Sequence, residues 1–294
     1  MPALDQLDVF YGELTVNRAC IYARLPRPDE GDGWSLAGQV RGPRCLHAQT
    51  LPVSAKLVDQ GPGPTLLARA ILPDPCFWWP DLPAIYDVTI ELRRGTEVVA
   101  TARRELGLRS LGVRGRNLML NGKRWVLRGV SAHSTTERLP RVWHEASAAY
   151  VCDDSDPEPL AEASQWGALS VVLFDQPADQ TASHLRELSR YPGVAIAVVL
   201  GPLPADFRKS HVAPNLLLAQ WIGLDNFFHV ESWADLLFVT ADGPDHLHEA
   251  GAAEKPVVIT RYLEPPVGLI EARAACDILQ RDLAPLGQFA GYIV

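Results

Sequence analysis

The sequence predicts two unlike domains, an antiparallel β-sandwich followed by a parallel α/β domain. Three observations point there. The chain has 294 residues, a length that suggests two domains. Residues 1–117 read as short alternating strands bounded by Gly, Pro or Asp. After Asn121-Gly122 fully apolar runs alternate with helix-like stretches, the rhythm of a parallel sheet covered by helices.

In the first domain, "LTVNRACIYARL" alternates over Leu14 to Leu25, and "WSLAGQV", "VSAKLVD" and "TLLARAIL" follow as strands. In "YDVTIELRR" the period of two places Tyr86, Val88, Ile90 and Leu92 on one face, with polar residues on the other. Arg94-Gly95 then turns the chain into the partner strand "EVVATARRELGL". The stretch "LMLNGKRWVLRGVSAHS" reads as a hairpin about Asn121-Gly122 that leads into the second domain. No internal repeat is seen.

In the second domain, "RWVLRGVSA", "ALSVVLFD", "VAIAVVLG", "ADLLFVTAD", "KPVVITRYL" and "FAGYIV" read as buried strands. "PEPLAEASQWG", with Pro near its start and Gly167 at its end, and "ADQTASHLRELSRYPG" read as helices. "PNLLLAQWIGLD" is also read as helical. "GLIEARAACDILQRDLAPLG" is a clear amphipathic helix.

Composition narrows the function. Hydrophobic residues make up 47 % of the chain, enough for two cores. A net charge of −8, with no basic stripe, argues against a nucleic-acid partner. The longest apolar run, Val194 to Leu200, is too short for a transmembrane segment, and "MPALDQLDVF" lacks the basic start of a secretory signal. The expectation is a soluble, cytoplasmic protein. The five cysteines (Cys20, Cys45, Cys76, Cys152, Cys276) contain no Cys-x-x-Cys pair and read as small buried thiols. His246 and His248, with Asp242, Asp245 and Glu249 nearby, read as a solvated loop rather than a metal site. "WHE" at Trp143-His144-Glu145 lacks a second His at helical spacing. With no phosphate loop and no nucleophile elbow, no cofactor and no metal are expected.

Two stretches carry a resemblance. "FWWPDLPAIYDVTIELRRGTEVV", with Trp78, Trp79, Pro80, Pro83, Ile85 and Tyr86, resembles the last strands of the immunoglobulin-like domain of glycoside hydrolase family 2. "GLRSLGVRGRNLMLNGKRWVLRGVSAHS" resembles that family's junction into its (β/α)8 barrel. "RYPGVAIAVVLG", "KPVVITRYLE" and "FAGYIV" are similar to its fourth, seventh and eighth barrel strands. The resemblance covers residues 8–135 well and the remainder loosely. It implies a multidomain β and α/β protein: an immunoglobulin-like β-sandwich over 1–117 and a truncated (β/α) TIM-like barrel over 118–294. From Trp125 to Val294 the chain is shorter than the roughly 250 residues such barrels take, so six or seven strands are expected, open on one side.

The family's members are retaining β-glycosidases, whose chemistry needs two carboxyl groups about 5–5.5 Å apart. The resemblance places the acid/base in an Asn-Glu pair just after the fourth strand, where this chain has Gly201-Pro202. It places the nucleophile after "PVVIT", where Arg261 stands, a permanent cation. A supporting Arg at the end of the second strand corresponds to Val172, and of an Asn-x-His-Glu run only His133 remains in Ser131-Ala132-His133-Ser134. The leading expectation is therefore a non-catalytic relative serving as a structural or binding subunit, with a protein partner or a second copy covering apolar strand edges or faces left by missing barrel segments. A second expectation is an active hydrolase with relocated carboxylates. Glu264 and Asp206 are its candidates, with Asp175 and Glu231 also counted near strand ends. A third is a lectin-like module that binds carbohydrate through His133 and tryptophans such as Trp233 at the barrel mouth.

Overall fold

The structure, a computed structural model, describes residues 4–28, 32–153, 157–201, 203–204, 207–223, 228–242 and 244–294. It divides into two compact units, each described by itself below.

The first unit is built on β1 (Asp8–Leu14), β2 (Arg18–Pro26), β3 (Trp34–Arg44), β4 (Val53–Asp59) and β5 (Thr65–Pro73). The two-residue β6 (Trp78–Trp79) and β7 (Leu82–Pro83) pair with each other, and β8 (Ile85–Arg94) and β9 (Glu97–Leu106) complete the unit. Seven strands form one antiparallel curled sheet in the order β1-β2-β5-β4-β3-β8-β9. β4 and β5 are joined through only Val58↔Arg69 and Asp59↔Ala68, which lets the sheet fold into two facing halves. Ile21, Leu66 and Leu72 from one half share a buried core with Leu36, Val40, Val88 and Ile90 from the other. This is an immunoglobulin-like sandwich, and the alternation of residues 86–92 is its cause. The alternation of "LTVNRACIYARL" crosses a turn, so that stretch is two strands rather than one. Thr15 closes the turn on Arg18 with reciprocal backbone hydrogen bonds.

The unit does not end where the sandwich does. α3 (Thr181–Leu188) and α4 (Lys209–Val212) belong to it, although they lie far along the chain. Asp8, nearly buried, accepts from Arg24 on β2 at 3.0 Å and from Arg186 on α3 at 3.1 Å. Asn215 brackets Tyr11 by accepting from its amide at 2.9 Å and donating to its carbonyl at 2.8 Å.

The second unit starts at Arg109. β10 (Leu111–Arg114), β11 (Asn117–Leu120) and β12 (Lys123–Trp125) make a small antiparallel sheet. Asn121 and Gly122, at φ 50° and 72°, form the tight turn between the last two. The barrel strands are β13 (Leu127–Ser131), β14 (Ala149–Asp153), β15 (Ser170–Phe174), β16 (Val194–Val199), β17 (Leu217–Ile222), β18 (Leu236–Thr240), β19 (Val257–Thr260) and β20 (Gly291–Ile293). All neighbours are parallel, and β20 pairs back onto β13, so eight strands close.

Closure corrects the expectation of six or seven strands with an open side. The shortness of the domain lies in its connections instead. α1 (Arg141–Glu145) has five residues and α4 four, while α2 (Pro157–Trp166), α5 (Pro244–Ala252) and α6 (Leu269–Leu283) are fuller. Among the described residues no helix separates β17 from β18. The two strands that were missed are β14 and β17, the latter read from sequence as helical. Closure leaves the barrel sheet without an open strand edge.

Close approach holds the barrel at its seam. A Cβ on Gly129 would lie 2.8 Å from side-chain carbons of both Ile293 and Val151, so only glycine fits between β20 and β14. α6 is fastened over this seam. The Cys276 thiol donates to the Gly129 carbonyl at 3.2 Å, and burial pushes it up to about 11. Arg128 lies over the Tyr292 ring at 5.2 Å and donates to Asp277 at 2.9 Å, while Arg273 holds the other Asp277 oxygen at 3.0 Å.

Desolvation is the largest single influence on Asp277 and raises its pKa, yet the two guanidinium groups together hold the carboxyl below its ordinary value. A depressed folded pKa contributes stability that is present above the unfolded value and lost as pH falls through the folded one. Asp277 is largely exposed, so the effect is small. Asp277→Asn is expected to cost under about 1 kcal/mol at pH 7, with the difference from wild type vanishing at pH values below the carboxylate range. Urea unfolding at both pH values measures it. An equal penalty at both would show that packing, not charge, is what the substitution removes.

Candidate functional site

The C-terminal ends of the barrel strands are where sites form on this fold. Around this rim stand Ser131-Ala132-His133-Ser134 after β13, Asp153 ending β14, Asp175 after β15, Gly201 after β16, Asp242 after β18 and Arg261-Tyr262 after β19.

The rim is ordered by buried hydroxyl groups. The Ser131 and Ser134 side chains are buried, and each serves the backbone. Ser131 Oγ accepts from the His133 amide at 3.2 Å, and Ser134 Oγ from the Leu263 amide at 3.0 Å. Thr136 and Val267 exchange backbone hydrogen bonds with each other's segments, pinning the loop after β19 to the loop after β13. Arg261 is anchored by its amide, which donates to the Ile293 carbonyl at 2.9 Å.

On this frame His133 is presented outward, and its Nε2 lies 2.8 Å from Asp153 Oδ2, with both side chains more than half exposed. Tyr262 stands close enough to feel the Asp153 charge. Its phenol is pushed up to about 12, by desolvation first and by Asp153 second, although 42 % of the residue's surface is exposed. A further carboxylate leans toward the fourth strand, since Asp175 Oδ1 lies 3.0 Å from where a Cβ on Gly201 would sit.

The structure sorts the sequence-derived candidates. Arg261 does follow the seventh strand, β19, and Gly201 the fourth, β16. Pro202 and Asp206 lie outside the described residues. Val172 is not at the end of the second strand: it is wholly buried in β15, the third strand, and the second strand ends at Asp153. The miscount follows from missing β14. For the same reason Asp175 follows the third strand. Glu264 is exposed in the loop after β19, two residues beyond Tyr262. Glu231 belongs to the opposite end. Its carbonyl accepts from Lys255, which precedes β19, and its amide donates to the Gln220 side chain. Trp233 stands two residues before Asp235, whose amide donates to Leu218 at the start of β17, so it too lies away from the mouth. No tryptophan falls in the exposed class. His246 and His248 lie on α5, not on a loop, and among the described residues no three His, Cys, Asp or Glu side chains come together as metal ligands. Sequence reasoning missed Asp153 and Tyr262. The signal for Asp153 was the short apolar run "AYVC" before it, too brief to stand out as a strand.

The chain thus combines an immunoglobulin-like sandwich with a closed barrel of eight parallel strands. Residues 46–109, within the sandwich and its exit, match the family model described as glycosyl hydrolases family 2. No curated protein sequence matches the chain.

Solved structures share the fold at low identity. A glycosyl hydrolase family 2 member from Bacteroides cellulosilyticus is similar at 14 % identity and a TM-score of 0.66, over 99 % of this chain and 43 % of its own. A Bifidobacterium dentium beta-glucuronidase, solved with coumarin-3-O-glucuronide, is similar at 13 % and 0.61, over 98 % and 59 %. A beta-galactosidase assignment from Bacteroides fragilis is similar at 14 % and 0.60, over 98 % and 54 %. The chain thus spans about half the length of these proteins. No helix of the described residues is long and apolar enough to cross a membrane.

Proposed function

We propose that this chain is a non-catalytic relative of the family 2 glycosidases that acts as a structural or binding subunit. The observation that carries the reading is Arg261 at the end of the seventh barrel strand. A guanidinium is a permanent cation with no free lone pair, so it neither attacks an anomeric carbon nor gives up a proton. Gly201, at the end of the fourth strand, likewise offers no carboxyl. Fold alone does not bring activity with it.

A second reading has one specific observation in its favour. Asp175 reaches over Gly201 from the neighbouring strand, bringing a carboxylate to the place where the fourth strand ends. An active hydrolase would pair it with a second carboxyl, Glu264 being the candidate on the seventh-strand loop.

Hydrolysis of a panel of aryl β-glycosides at high protein concentration decides between them, with Asp175→Asn and Glu264→Gln alongside. The expected result is no turnover above buffer for any of the three proteins. Turnover by the wild type that drops at least a hundredfold in either variant would overturn the non-catalytic reading.

A further inference from the structure

We propose that the outer face of the sandwich, over β4, β3, β8 and β9, binds a linear acidic glycan through Arg41, Lys56 and Arg103. The inference concerns the first unit only and does not depend on the state of the barrel rim.

Strand register builds the face. Alternation buries Leu36, Val40, Val88 and Ile90 and turns their neighbours outward. Lys56 stands opposite Gln39, Gln39 opposite Thr89, and Thr89 opposite Arg103, so four side chains form one row across four strands. In the next row Arg41 stands between Ser54 and Asp87. Two adjoining grooves of about 790 and 510 Å³ lie on this face and share Arg41 and Thr89. Their floor is short and polar, and no aromatic ring lines either one.

The charges of the face do not cancel in place. Arg44 pairs with both Asp87 and Glu105, and Arg93 pairs with Glu91. Asp59, at the groove's end, accepts from the amides of Leu36 and Gly61. Each acid has a partner, although Arg44 is shared by two of them and Asp59 meets only backbone amides. Arg41 donates only to the Gln39 amide oxygen, and among the described residues neither it, Lys56 nor Arg103 has a carboxylate partner. The grooves are lined by five cations and four acids, so Arg41, Lys56 and Arg103 give a small local positive excess on a chain of net charge −8.

Spacing and chemistry choose the ligand. Strands about 4.8 Å apart put the roots of Lys56 and Arg103 roughly 14 Å apart, with Arg41 between them. A sugar chain bearing several carboxylate or sulfate groups is long enough to reach all three cations. Thr89 and the remaining valences of Gln39 and Ser54, which bond to each other, supply hydrogen bonds for its hydroxyl groups, and a guanidinium grips carboxylate or sulfate in bidentate fashion. Nucleobases find no ring to stack on here, which disfavours a single-stranded nucleic acid. A neutral glycan finds neither ring nor opposite charge.

Calorimetric titration tests the proposal with four ligands: an oligogalacturonate, a heparin oligosaccharide, a maltooligosaccharide and an oligothymidylate. The wild type is expected to bind at least one acidic glycan, more weakly as salt rises, and not the neutral one. Combining Arg41→Gln, Lys56→Gln and Arg103→Gln is expected to weaken that binding at least tenfold. A charge-matched control, Lys123→Gln with Arg124→Gln and Arg281→Gln, is expected to leave it unchanged. If the triple variant fails to fold, Arg103→Gln alone, on the edge strand β9, is expected to weaken binding at least threefold. Absence of binding to both acidic glycans overturns the proposal, as does equal weakening in the control. Oligothymidylate bound as tightly, with the same dependence on the three cations, replaces it with a nucleic-acid site.

Discussion

Gly38→Ala is expected to destabilise the sandwich by about 4 kcal/mol or more, at the extreme of single substitutions. Gly38 sits in the middle of β3 at φ 154°, and a Cβ there would lie 2.0 Å from the Thr89 carbonyl oxygen. The obstacle is backbone, not the end of a flexible side chain, so relief requires β3 and β8 to part. Those two strands join one half of the core to β9 and hold the acidic-glycan face together. The loss should therefore appear as exchange of the β3 and β8 amides long before those of the barrel. Gly63→Ala is the control. It has an ordinary φ and its nearest neighbour is the Thr65 carbonyl at 3.6 Å, so its effect is expected within about 0.5 kcal/mol. Similar small effects for both would mean that β3 relaxes around a side chain and that its close approach to β8 is not required.

Trp143→Ala is expected to cost the barrel about 3–5 kcal/mol, the range for truncating a buried Trp. Trp143 is 0 % exposed on the five-residue α1. It meets Tyr150 of β14 edge-on, with ring centroids 4.9 Å apart, and its Nε1 donates to the Val130 carbonyl of β13 at 3.0 Å. A helix this short has no stability of its own, so this one side chain fixes α1 against the first two barrel strands. Trp143→Phe keeps most of the ring but removes the donor, and is expected to cost less, about 1–3 kcal/mol. Denaturant unfolding of the three proteins, followed by a barrel-specific probe such as amide exchange in β13, gives the order. Equal losses for Phe and Ala would assign the anchoring to the hydrogen bond rather than to the ring.

The rhythm of the sequence was informative where an element's own residues decide its form. Residues 86–92 alternate because one face of β8 is buried, and the strand forms there. β15 and β16 are buried throughout and almost wholly apolar because they are covered on both faces, and they too were legible. β17 was not. "LLAQWI" fits a helical period as well as an extended one, and its form is settled by the open slot between β16 and β18, with which it pairs on both sides. β14 was hidden by its length and by the shortness of α1 before it. Counting strands by typical connection lengths therefore undercounted a barrel whose connections are small.

The site divided along the same line. That a permanent cation, Arg261, follows the apolar run "PVVIT" was readable from the residues alone, because identity is what a guanidinium's chemistry depends on. That Asp153 faces His133, that Asp175 leans over Gly201 and that Val172 is only barrel core were decided by which strands lie side by side. The order of residues determined the two kinds of domain, most of their elements and the cation at Arg261. Barrel closure, the companionship of α3 and α4 with the sandwich, and the row from Lys56 to Arg103 were decided by tertiary structure alone. The reason is that hydrophobic periodicity is local, whereas strand neighbours and the charges they bring together are set by contacts between segments far apart in the chain.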